Sequence, residues 1–317
     1  MLRGGIRVMP LVVAENLIKS YGQVKAVNGL SLTLYEGSVT GLIGPNGAGK
    51  TTTIKIILGL LKPDSGRVEV FGEDPWDNPK IRTLIGAVHE KAFFPSHQKV
   101  IDYLMRTCRI FGVPESRASE VLRLVDLQEA RYRAIKALSA GMLQKFAIAH
   151  ALINYPQMII ADEMTSNLDP QARSALLDLL LRLNKDENVT FLLSSHILPE
   201  LSRVCDSIAI INRGRVWAFG KLTELYEKYG AGRIRVSTDK PIELAGEVGR
   251  LPYVENLEVN ARGLSVKVVV GREEEFYEDV SRLARDVGVK IYGIETGSSS
   301  LEELYRLVVD ASKLKET

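Results

Sequence analysis

Gly44-Pro45-Asn46-Gly47-Ala48-Gly49-Lys50-Thr51 fits the pattern G-x-x-x-x-G-K-[ST] in full and follows directly on the apolar run from Ser38 to Ile43. A strand that runs into a glycine-rich turn and then a helix is a phosphate cradle. The glycines allow the tight turn and bring backbone N–H groups against phosphate oxygens, while the helix starting near Thr51 offers the positive end of its dipole to the same anion. Lys50 is placed to neutralise β- and γ-phosphates, and the Thr51 hydroxyl to ligate Mg²⁺, with Thr52 next to it at the helix start.

Composition bounds what surrounds this loop. The chain has 317 residues, 45% hydrophobic and 25% charged, enough for one large globular domain and a small one. No stretch approaches the ~18 uninterrupted apolar residues of a membrane span; Ile54 to Leu61 is already broken by Lys55 and Gly59. Arg3 and Arg7 precede no continuous apolar segment with a small-residue cleavage site, so no secretory signal is expected. Cys108 and Cys205 lack paired spacing, which suggests reduced cytoplasmic thiols and neither a disulfide framework nor a zinc site. A net charge of +2 and an isoelectric point near 8.4 are too mild to imply nucleic-acid binding.

Short strands are expected between Val12 and Leu34, with a turn at Tyr21-Gly22, then a helix over Thr52 to Leu60 and strands at Val68 to Phe71 and Ile85 to Val88. The texture then changes. Val100 to Phe111, Glu115 to Leu127 and Met142 to Ile153 carry apolar residues at helical spacing and look like a helical insertion, covering about 95–155. Strand Met158 to Ala161, helix Pro170 to Leu183, strand Thr190 to Leu193, two short strands at Ile208 to Ile211 and Val216 to Phe219, and a helix from Leu222 to Tyr229 follow. Alternation of strands and helices implies a largely parallel sheet. Gly230-Ala231-Gly232 is the expected boundary, separating a domain over 1–230 from one over 233–317. The second reads strand, helix, strand, strand, helix, strand and a last helix, an α+β ferredoxin-like order without a catalytic constellation of its own.

The chemistry lies downstream of the cradle. Four apolar residues, Met158-Ile159-Ile160-Ala161, deliver Asp162-Glu163 to a strand end, where open parallel sheets place their ligands. Asp162 suits the Mg²⁺ shell, and Glu163 is placed to orient and deprotonate a water in line with the γ-phosphate. Before that strand, Leu138-Ser139-Ala140-Gly141-Met142-Leu143-Gln144 opens an apolar helix, with Ser139 a good N-cap.

This last run resembles the Leu-Ser-Gly-Gly-Gln signature of the ATP-binding cassette (ABC) ATPases. The order of motifs is that family's as well: phosphate loop, signature, acidic strand end, Ser166-Asn167-Leu168-Asp169, then His196 after Thr190 to Ser195. The resemblance covers roughly Val12 to Tyr229, and the tail with Ser300-Leu301-Glu302-Glu303-Leu304-Tyr305 looks like the extension of a drug- and antibiotic-exporter branch. It implies an α/β P-loop NTPase (RecA-like) core with an antiparallel β subdomain and the helical insertion. It also implies an ATP- and Mg²⁺-dependent hydrolase that powers a separate transmembrane permease, peripheral at the cytoplasmic side of the membrane.

Carried over by position, the resemblance puts Tyr21 against adenine. Ser139 and Gly141 fall on the γ-phosphate of ATP bound to a second cassette, Asp169 between the two sites, and His196 on the γ-phosphate. Glu90 falls where the family has a glutamine that helps ligate Mg²⁺ and senses the membrane subunit; its extra negative charge near Asp162 is unfavourable unless metal or a proton compensates. Ala140 and Met142 also depart from the signature, and Met164 stands where proline is common. His89, His97 and His150 read as surface or packing residues. Other classes fit less well. A soluble cassette acting on ribosomes or nucleic acid is the second reading. Asn184-Lys185-Asp186-Glu187 lacks the aspartate that guanine recognition needs at the fourth place, and the glycine spacing is not that of a dinucleotide domain.

Overall fold

The computed structural model describes residues 10–90, 93–195, 197–229, 233–269, 272–296 and 300–316. Where short strands are expected near the start, two long ones stand: β1 (Pro10–Tyr21) and β2 (Val24–Tyr35), paired antiparallel around the Gly22 turn. Irregular register after Ala14, where Asn16 adopts a positive φ of 48°, breaks the alternation that would have announced one continuous strand. Strand β3 (Val39–Ile43) is buried at every position and feeds α1 (Lys50–Ile57), after which β4 (Ser65–Val70) returns to β1. The first sheet is thus β2-β1-β4.

After β5 (Ile85–His89) come the three helices α2 (Val100–Phe111), α3 (Ser116–Leu124) and α4 (Ala140–Ala151). Helix α2 buries Val100, Ile101, Leu104, Thr107 and Cys108, one face at helical period, and ends on Gly112 in the left-handed region. The chain re-enters the sheet at β6 (Met158–Asp162) and continues through α5 (Pro170–Glu187), β7 (Thr190–Ser195), α6 (Leu198–Val204), β8 (Ser207–Asn212) and β9 (Arg215–Lys221). The second sheet has the order β5-β6-β7-β3-β8-β9, parallel except for β9. Phosphate loop and acidic pair leave the same edge of this sheet, because β3 and β6 flank β7 in parallel. Leu42, Ile54, Ile57, Ile160, Leu192 and Ile211 share one core that joins the two sheets through α1.

Contacts divide the chain into two compact units, Met1–Leu222 and Thr223–Thr317. The expected glycine boundary at 230–232 lies outside the described residues. The second unit holds the rest of α7 (Leu222–Tyr229), then β10 (Ile234–Thr238), α8 (Pro241–Val248), β11 (Val254–Asn260), β12 (Gly263–Val268), α9 (Glu273–Asp286), β13 (Ile291–Thr296) and α10 (Leu301–Glu316). Its sheet is antiparallel with the order β11-β12-β10-β13, the ferredoxin-like arrangement expected from the element order. Val236, Leu244, Val248, Val266, Phe276 and Val280 pack helices α8 and α9 on that sheet. Among the described residues no helix is long and apolar enough to cross a membrane.

Candidate active site

The loop between β3 and α1 is built so tightly that side chains at its glycines would collide with backbone. A Cβ on Gly44 would lie 2.2 Å from the Ile211 carbonyl oxygen, and one on Gly49, whose φ is 103°, 2.3 Å from the Ala26 carbonyl oxygen. Ala48 N–H donates to Pro45 O at 3.1 Å and closes the turn. Helix α1 begins at Lys50 rather than Thr52, so its first amides, which have no acceptor within the helix, open at the loop. Lys50 is buried at 7% exposure; its Nζ donates to Gly44 O at 2.7 Å and stands 3.7 Å from Glu163 Oε1.

The acidic strand end meets the loop from the other side. Thr51 Oγ1 donates to Asp162 Oδ2 at 3.0 Å, and Ser194 Oγ, from β7, donates to Asp162 Oδ1 at 2.5 Å. Glu163 follows with a positive φ of 53°, an unusual backbone state for glutamate. It is anchored by its N–H to Ser194 O at 3.0 Å and by Ser166 Oγ to its own carbonyl at 2.9 Å. One hydroxyl and one carboxylate, both hard oxygen donors, are therefore side by side with an ammonium and a second carboxylate. The set fits Mg²⁺ and the phosphates it accompanies.

The remaining expected residues are spread around this centre. Glu90, just past β5, accepts from Gln144 Nε2 with its backbone carbonyl at 3.2 Å, and its carboxylate meets Asn167 Nδ2 at 3.4 Å. Ser139 caps α4, accepting from Met142 N–H at 3.3 Å. Gly141 lies where a Cβ would be 2.9 Å from the Ala172 Cβ of α5. Ser139 and Gly141 face a cleft of about 700 Å³ that Arg133, Lys145 and Ala175 also line. Asp169 caps α5 through the Ala172 N–H at 2.8 Å. Tyr21, the last residue of β1, is 52% exposed. His196 lies outside the described residues. Loop, acidic pair and Ser194 form one cluster; Tyr21 and the Ser139–Gly141 pair are not part of it.

A family model described as "ABC transporter" matches residues 27–166. The bacitracin transport ATP-binding protein of Bacillus licheniformis is 38% identical over 208 residues, 65% of this chain and 68% of that protein. The linearmycin resistance ATP-binding protein of Bacillus subtilis is 32% identical over 302 residues, 93% of this chain and 97% of that one. This chain belongs to the ATP-binding subunits of ABC transporters. Its fold also matches an ATP-binding cassette solved as a dimer in a post-hydrolysis state with ADP and Pi, at a TM-score of 0.58 and 27% identity, covering 66% of this chain and 98% of that one. It is accordingly an ABC ATPase whose nucleotide is ATP.

Several residues of this cassette's site carry no motif of their own. Ser194 is an ordinary strand residue until β6 and β7 pair Asp162 with it. Gly214, in the β8–β9 turn, donates to Ala48 O at 2.9 Å and accepts from Asn28 N at 2.8 Å, tying the phosphate loop to β2. Its only signal in the sequence is Asn212-Arg213-Gly214, a turn between two strands.

Proposed function

We propose that this cassette hydrolyses ATP with Mg²⁺ at the Lys50–Thr51–Asp162–Glu163 cluster and, paired with a second cassette, drives export through a separate transmembrane permease. The observation that carries this reading is the hydrogen bond from Thr51 to Asp162, beside the Lys50–Glu163 ion pair, since it joins phosphate binding to an acidic centre. The loop amides and Lys50 would hold the phosphates, and Thr51 and Asp162 the metal ion. A metal ion held there would offset the negative charge of the phosphates. Glu163 would orient a water and take its proton as the water oxygen bonds to the γ-phosphorus and the bond to the β,γ-bridging oxygen breaks. His196 would contact the γ-phosphate, Tyr21 the adenine, and Glu90 would stand near the metal ion.

Ser139 and Gly141 would complete the site of the second cassette, with Asp169 between the two centres, so that binding, closure and turnover are coupled. Closure would move the permease through the segment between Glu90 and the helical block, which makes the cassette peripheral at the cytoplasmic face of the membrane. Export is favoured over import because two relatives matched over nearly their whole length are named for linearmycin and daunorubicin resistance. Nucleic acid is not expected as a partner, given the net charge of +2. The test is Glu163→Gln. It should lose multiple turnover while ATP converts the protein to a stable dimer on gel filtration; ordinary turnover in this variant would remove Glu163 as the base. Pull-down from solubilised membranes should return an integral membrane protein, and recovery with ribosomes instead would support the soluble reading.

A further inference from the structure

Glu200 is a carboxylate at 5% exposure in the first turn of α6, and burying such a charge is unfavourable unless it is paired and hydrogen-bonded. It is both. Thr165 Oγ1, itself buried, donates to Glu200 Oε2 at 2.5 Å, and Arg173 Nε of α5 lies 2.7 Å from Glu200 Oε1. The same arginine donates from Nη2 to the Leu168 carbonyl at 3.2 Å, and Leu168 N–H returns to Thr165 O at 3.2 Å. Thr165, Glu200, Arg173 and Leu168 thus close a ring. The ring grips both ends of the turn that leads from Glu163 to the Asp169 cap, and fastens it to the helix that begins just after position 196.

A second tie between α5 and α6 lies outside the ring. Arg203 pairs with Asp178, both exposed, and donates to the half-buried Ser174 Oγ at 2.7 Å. This exposed tie is an internal comparison for the buried one. The buried pair differs in what it reaches, namely Thr165 and the Leu168 backbone.

We propose that Glu200 and Arg173 are positioning residues for hydrolysis, making the 163–169 turn and the start of α6 move as one body. This rests on the ATPase reading above. A shift of α6 on nucleotide binding would then carry the turn bearing Asp169 with it.

Kinetics of the purified full-length chain with Mg²⁺-ATP test this. Glu200→Gln keeps shape and an acceptor for Thr165 but loses the charge; Thr165→Val removes the hydroxyl at constant volume. Each should lower kcat about tenfold while KM for ATP stays within about twofold, because a displaced turn costs geometry rather than ground-state binding. The double variant should be no worse than about the poorer single one, as expected of members of one network. Thr165→Ser should restore kcat, and Arg203→Ala should leave it within about twofold of wild type, since exposed pairs contribute little.

Equal losses in Arg203→Ala and Glu200→Gln would reduce the ring to a helix clamp and overturn the proposal, as would unchanged kcat in Glu200→Gln and Thr165→Val. If Glu200→Gln does not fold by circular dichroism, the Thr165→Val and Thr165→Ser pair decides alone. Wild-type protein without ATPase activity would instead sink the underlying reading, so the two failures are distinct.

Discussion

Thr51 Oγ1 and Asp162 Oδ2 are 3.0 Å apart although 111 positions separate them in the chain. The contact exists because β3 and β6 lie on either side of β7, so the residues that follow them leave the sheet at the same edge. A hydroxyl donated to a carboxylate fixes that carboxylate's rotamer, and Ser194 fixes its other oxygen. Hydrogen bonds to charged groups contribute about 1.5–3 kcal/mol, which as a loss of metal-site organisation corresponds to roughly tenfold or more. Thr51→Ala should therefore lower Mg²⁺-dependent turnover at least about tenfold and raise the Mg²⁺ concentration at half-maximal rate, with Thr51→Ser recovering most of both. A Mg²⁺ titration of the three proteins checks this; an unshifted midpoint in Thr51→Ala would separate the hydroxyl from metal binding.

Gly214 is the second load on the phosphate loop. Its φ is 73°, and a Cβ there would lie 2.8 Å from Ala26 O and 3.0 Å from both Asn28 N and Val27 Cα, all backbone atoms with nowhere to go. Gly22 offers an internal comparison, with φ of 60° and nothing within 4 Å. Both alanine variants carry the left-handed backbone penalty of about 1–2 kcal/mol, but only Gly214→Ala also presses on the strand that flanks the loop. Gly214→Ala should lose more thermal stability than Gly22→Ala and bind ATP more weakly, measured by differential scanning fluorimetry and by nucleotide titration. Equal behaviour of the two would show that the β8–β9 turn does not brace the loop.

The way these residues divide shows what local pattern can and cannot carry. Lys50, Thr51, Asp162 and Glu163 were legible because loop spacing and a buried apolar strand are short-range signals, and the structure brings the four together. Helix α2 stands where its periodicity places it, since Gly112 supplies an unambiguous stop. Helix α6 escaped, being only 7 residues long with Pro199 in its first turn, too short for an apolar period to repeat. Ser194, Gly214 and Glu200 escaped for another reason. Their partners lie 32 positions away at Asp162, 166 away at Ala48 and 35 away at Thr165, so their meaning is created by sheet order and helix docking. By contacts the chain divides between Leu222 and Thr223, at the first residues of the helix Leu222–Tyr229.

Gly141 illustrates two constraints on one residue. Alanine is favoured over glycine inside a helix by about 1 kcal/mol, yet a Cβ at 141 would lie 2.9 Å from the Ala172 Cβ, a methyl that cannot rotate away. Overpacking of this kind costs about 1–3 kcal/mol, so the clash outweighs the propensity gain or cancels it. Gly141→Ala should lower the unfolding temperature, and adding Ala172→Gly should relieve the contact and return it. If the double variant regains stability but ATP-driven dimerisation stays lost, the surface presented by Ser139 and Gly141 is the cause; if dimerisation returns as well, helix spacing is.

Burial of His150 links the stability of the cassette to pH. Its ring lies 5.7 Å from Phe94 and 5.6 Å from Tyr103, and burial pushes the imidazole below its ordinary value of 6.5. The folded protein therefore holds His150 neutral under conditions where the unfolded chain takes up a proton. Stability linked to this residue is complete above 6.5 and declines as pH falls from there through the lowered folded-state value. His150→Gln removes the titration while keeping a hydrogen-bonding side chain of similar reach. Thermal unfolding followed between about pH 8 and pH 5 should show the wild type losing stability faster than the variant on the acid side, with parallel curves above about pH 7.5. Parallel curves throughout would mean that the ring is solvated enough to protonate without cost, contrary to its place among Phe94, Tyr103 and Phe146.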